Sequence, residues 1–73
     1  MSLVGFDILR REHPEQGTVL SRFEEAICAI LRNDPSAVLE EHHLSAVAHI
    51  PIPDIEVWLV ELMRLAALEY RVA

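Results

Sequence analysis

The apolar positions of this chain begin with a period of two and then turn helical. From Leu3 to Arg11 ("LVGFDILRR"), Val4, Phe6 and Ile8 alternate with Gly5, Asp7 and Leu9, which suits a short strand, although apolar Leu9 occupies its polar face. A short helix capped by Asp7 is the competing reading. His13 to Gly17 ("HPEQG") is a turn, because Pro14 restricts His13 and Gly17 supplies backbone freedom. From Thr18 to Arg32 the pattern is amphipathic. Val19, Leu20, Phe23, Ala26, Ile27, Ile30 and Leu31 share one arc, and Ser21, Arg22, Glu24, Glu25 and Arg32 take the other. Thr18 or Ser21 caps this helix, the latter through a Ser21-x-x-Glu24 capping box.

The next segment restarts the chain at Asp34-Pro35, a cap followed by the residue suited to a first helical position, and predicts a helix reaching Glu41 or His43. Leu44 to Ile50 either continues it or opens a new short helix capped by Ser45. Pro51 to Pro53 forbids helix passing through. Asp54 then caps a last helix from Ile55 to Leu65 or beyond.

That last helix poses the chain's main question. Ile55, Trp58, Leu59, Leu62, Met63, Leu65 and Ala66 cover nearly half its circumference, with Glu56, Glu61 and Arg64 opposite. Val57, Val60, Ala67 and Leu68 lie among those charges, so the polar side is itself half aliphatic. Such a helix is normally covered on both sides. Either it is a central core helix or its outer side meets another chain.

Composition sharpens the choice. The chain has 73 residues, 52% of them apolar and only 5% aromatic, which is one small domain with more aliphatic surface than one small core absorbs. The expected outlet is a second copy or another protein. Twelve acidic and six basic residues give a net charge of −6, which opposes approach to phosphate backbones and anionic membranes. The expected partners are therefore a homodimer mate or a protein, with nucleic acid disfavoured, a DNA-binding regulator being the alternative, and with no membrane and no small-molecule substrate. One cysteine, Cys28, excludes an internal disulfide, and it falls on the polar side of its helix as a small surface or contact residue. The first nine residues lack the basic start of a signal peptide, and the apolar run from Ile55 to Leu68 is too short and too interrupted to span a bilayer. The expectation is a cytoplasmic chain.

From Leu44 onward, "LSAVAHIPIPDIEVWLVELMRLAALEYRVA" resembles the second half of a helix-turn-helix or winged-helix domain. It has a short helix, a tight connection, and a longer helix with Ile55, Leu59 and Leu62 inward. It then exits through Ala66-Ala67 into a strand-like "LEYRV". The resemblance implies a mainly helical domain of three to four helices in which that strand pairs with Val4 to Ile8 as a two-stranded sheet. It also implies DNA reading by the long helix, but this helix offers Glu56, Glu61 and a single basic residue, Arg64, where base and phosphate contacts want arginine, lysine or amides.

Three histidines, His42, His43 and His49, lie close in sequence, and Glu40-x-x-His43 has the spacing of a carboxylate–histidine metal pair. A di-iron site needs a second such pair, and a zinc site a tighter ligand set. A metal-binding or pH-sensing module is the alternative these residues raise, against solvated histidines at a helix end. No phosphate loop, nucleophile elbow or HExxH sequence occurs, so no enzyme and no cofactor are expected. The anchors expected to bind a partner are Val57, Trp58, Val60 and Met63, with Arg64 beside them and Leu68 and Tyr70 at the edge. Aromatic residues concentrate binding energy at interfaces, which singles out Trp58 and Tyr70.

Overall fold

A computed structural model describes the backbone of residues 4–72 and the side chains of residues 5–66. The chain is mainly helical: α1 (Val4–Glu12), a single 3-10 turn (Pro14–Gln16), α2 (Gly17–Asn33), α3 (Glu41–Ala48) and α4 (Ile52–Val72). Helices α1 and α3 each pack against both α2 and α4, so the core lies between these two long helices.

The N-terminal segment is helical because Leu9 decides its period. Phe6 and Leu9, three residues apart, are the fully buried side chains among the described residues of α1, while Ile8 is only half-buried. Phe6 meets Phe23 of α2 with ring centroids 5.5 Å apart, a separation typical of an aromatic pair. Arg10 bonds Asp7 on its own helix at 2.8 Å and Glu24 of α2 at 3.1 Å, fastening α1 across the first turn region. The hydrogen bond to Asp7, then that to Glu24, holds the Arg10 guanidinium pKa above its usual value. Gly5 lets α1 approach α4 closely: a Cβ there would lie 3.0 Å from Leu62 Cδ2.

Among the described residues there is no strand, so the expected two-stranded sheet and the winged-helix features built on it are not found. Residues 4–8 belong to α1 and residues 68–72 to α4. The reason at the C-terminal side is propensity. Ala66-Ala67-Leu68-Glu69 are strong helix formers, and residues 70–72 contain no glycine or proline to stop the helix.

Helix α2 matches its predicted span to within a residue at each end, with Leu20, Phe23, Ala26, Ile27 and Ile30 buried. Its start differs in chemistry from the expected cap. The 3-10 turn runs straight into it, so Thr18 and Ser21 both lie inside the helix and Gln16 stands at the cap position. The helix expected from Asp34 to Glu41 does not form. Asp34 instead accepts hydrogen bonds from the Ser36 amide (3.2 Å) and hydroxyl (3.0 Å), and the Ala37 amide donates to the Asp34 carbonyl. Aspartate followed by proline opens a turn as readily as a helix. Residues 37–40 then run with alternating exposure: Ala37 and Leu39 pack on the core while Val38 and Glu40 point outward.

Helix α3 starts at Glu41 and stops at His49, which adopts the left-handed conformation (φ 57°, ψ 47°). The Ile50 amide reaches back to the Ser45 carbonyl (3.3 Å), and the Ser45 hydroxyl donates to the Ile50 carbonyl. This is a Schellman closure with histidine in the place glycine usually fills. Helix α4 begins at Ile52, three residues before the expected start. Pro53 fits inside its first turn because the first amides of a helix have no intrahelical acceptor to lose. The Pro51 carbonyl accepts from Asp54 and Ile55, making Pro51 the residue from which the helix starts.

Candidate interaction surface

Helix α4 buries one stripe and exposes another. Ile55 is fully buried, and Leu59, Leu62 and Leu65 pack partly against the core. Trp58 belongs to the same inward stripe at 7% exposure, with the His13 ring edge-on at 5.1 Å. Its indole thus packs on the core in this chain and does not stand on the outer face beside the other residues expected to bind a partner. The helical wheel itself puts Trp58 with Ile55 and Leu62, and only its aromatic character argues for the binding face.

On the opposite side Val57 is 55% exposed, Val60 63% and Met63 69%. These three are separated by three residues each and form a continuous ridge along the outside of the helix. Glu56 and Arg64, both exposed, flank it. Arg64 is held in place: its Nε donates to Glu61 (2.8 Å) and its Nη2 to Glu12 of α1 (3.1 Å). The bond to Glu61 is the main cause that raises the Arg64 pKa above its usual value. Among the described residues no ion pair involves Glu56. Leu68 and Tyr70, the expected edge of the surface, lie outside the residues whose side chains are described.

Two apolar residues that the pattern does not single out are also exposed. Val38 is 86% exposed on the 37–40 segment, and Val47 of α3 stands beside an open groove between α2 and α3 floored by Ala26 and Ala29. The alternation of Ala37, Val38 and Leu39 is the available signal for Val38, obscured by the helix expected there.

The other chemical candidates resolve differently. Cys28 is buried at 5% exposure, one helical turn after Glu24, the residue Arg10 reaches from α1. This corrects its expected place on the solvent side, because a wheel of α2 alone does not show which of its flanks the rest of the chain covers. His42, His43 and His49 are all exposed, and among the described residues no three histidine, cysteine or acidic side chains are placed to hold a metal ion. His49 serves as the stop of α3. Among the described residues no helix is long and apolar enough to cross a membrane. No family model, curated protein or solved structure matches the chain.

Proposed function

We propose that this protein is a small, non-catalytic interaction module of the cytoplasm that binds another protein chain through the outer face of α4. The observation that carries this reading is the ridge of Val57, Val60 and Met63, each more than half exposed. The same helix has already buried Ile55 and Trp58 on its other side, so the ridge is surplus to the core. Contiguous apolar side chains rimmed by charge are the usual composition of a protein-binding patch. The net charge of −6 favours a partner surface that is neutral or basic around an apolar centre.

The test is a photo-crosslinking residue placed at position 60, compared with the same residue at exposed position 42, in extract of the native host. Position 60 should give a protein adduct that excess wild-type chain competes away and Val60→Glu chain does not. Equal labelling from both positions, or competition by both chains, overturns the reading.

A second reading is favoured by one observation. A short helix, α3, a tight connection with His49 left-handed, and a longer helix, α4, follow in the order a helix-turn-helix would have. Reading DNA would require α4 to enter the major groove with Asp54, Glu56 and Glu61 near phosphates, which their charge opposes. A gel shift on random-sequence DNA at low salt separates the two readings: retarded DNA that is released as salt rises favours the second.

A further inference from the structure

We infer that the partner of this face is a second copy of the chain, packed antiparallel across α4 about a two-fold axis level with Val60; the inference rests on the reading of the face as a binding surface. The charge order along the helix argues for it. Glu56 and Arg64 stand four residues before and after Val60, about 40° to either side of it, and Val57 and Met63 stand three residues before and after, at about 60°. A two-fold axis that reverses the helix direction brings Arg64 of one copy level with Glu56 of the other, twice over. It also sets Val57 and Met63 at matching heights around a central Val60 pair. The face is thus complementary to itself, as an isologous contact requires.

A parallel pair would place Glu56 against Glu56 and Arg64 against Arg64, opposed by repulsion at both ends. The side chains are ready for the antiparallel contact. Glu56 has no ion pair among the described residues, and Arg64 commits Nε to Glu61 and Nη2 to Glu12, leaving Nη1 directed to neither. A stable interface takes about 800 Å² from each partner, roughly a sixth of the 5077 Å² accessible surface. The ridge and its flanking charges are five residues, against the roughly 20–30 a side of a standard interface, so the dimer is a weak one.

The experiment is sedimentation equilibrium of wild type, Glu56→Arg and Arg64→Glu, alone and mixed, at an ionic strength of about 0.15 M, where exposed charges still interact over about 8 Å. Wild type should dimerise, and each variant alone should lose at least about tenfold in affinity, since like charges then face each other at both ends. The equimolar mixture of the two variants should regain wild-type affinity. In the mixed pair the arginine introduced at position 56 meets the glutamate introduced at position 64, and the native Glu56 of one chain meets the native Arg64 of the other. A wild type that dimerises while the mixture does not recover overturns the antiparallel register and leaves the face as a binding surface. A wild type that stays monomeric at sub-millimolar concentration overturns self-pairing, and the position-60 cross-link then decides the broader reading by itself.

Since Arg64→Glu also removes the tie to Glu12, a second pair of variants avoids it. Val60→Cys should form a covalent dimer in a glutathione redox buffer. Glu56→Cys should not, because in the antiparallel pair its two copies are about 12 Å apart along the axis, beyond disulfide reach. The reverse pattern overturns the inference.

Discussion

Replacing His49 tests the closure between α3 and α4, the joint that aims the proposed binding helix. His49 holds φ 57° and ψ 47°, and it is the sole non-glycine residue with positive φ among those described. A side chain in that region costs about 1–2 kcal/mol relative to ordinary helical backbone, and glycine avoids most of this cost. Glycine also gives back about 0.5–1 kcal/mol through the freedom it gains in the unfolded chain. The net expected for His49→Gly is a stabilisation of about 0.5–1 kcal/mol, since His49 is exposed and Ser45 and Ile50 supply the closing hydrogen bonds. For a domain of this size that is an increase in Tm of about 2–8 °C. His49→Val should do the opposite and cost about 1 kcal/mol or more, because a β-branched residue is the least tolerant of positive φ. Thermal denaturation followed by circular dichroism, with glycine, asparagine, alanine and valine at position 49, should rank the four in that order. Equal stabilities across the series would refute the left-handed closure and with it the angle at which α4 leaves α3.

Gly17→Ala should stabilise by about 0.5–1 kcal/mol in a urea titration, since Gly17 has helical φ and ψ and a Cβ there meets nothing within 4 Å. Gly5→Ala should gain less, or lose, because its Cβ would press on Leu62 Cδ2 at 3.0 Å; an equal gain at both glycines would contradict the close packing of α1 on α4. Phe23→Ala, which empties a fully buried site, should cost about 3–5 kcal/mol and leave so small a domain largely unfolded, whereas Val38→Ala should stay within about 0.5 kcal/mol of wild type in the same titration. Trp58, the single tryptophan, should emit to the blue and resist iodide quenching in the free chain, and emission from a solvated indole would return it to the outer face.

Legibility in the sequence follows how local the deciding interaction is. Helix α2 is readable because its burial repeats every three to four residues with no competing pattern. Segment 4–12 is not, since two periods fit its apolar residues, and that Leu9 is buried with Phe6 is settled by packing against distant residues such as Phe23 of α2. Asp34-Pro35 carries the same local chemistry for a turn and for a helix start, and Ser36 tips it toward the turn. His49 carries no warning, because a left-handed stop is ordinarily announced by glycine. On α4 the wheel places Val57 and Val60 on the charged side, and they are exposed there. Residue type alone points Trp58 outward, while its phase on the same wheel points inward. The burial of Cys28 depends on what packs over its flank of α2, which no single-helix pattern contains.

Whether the outer face of α4 is surplus to the core and open to another chain is tested most directly by measuring Val60→Glu beside wild type in two ways on the same samples, thermal stability and molar mass by light scattering over a rising concentration series. At the dilute end of the series both chains should show the same Tm; as concentration rises the mass should climb toward the dimer for wild type, its Tm rising with it, and stay at 8.3 kDa for the variant. A variant that unfolds at room temperature, or loses many degrees of Tm, would show that Val60 belongs to the core and would contradict the account.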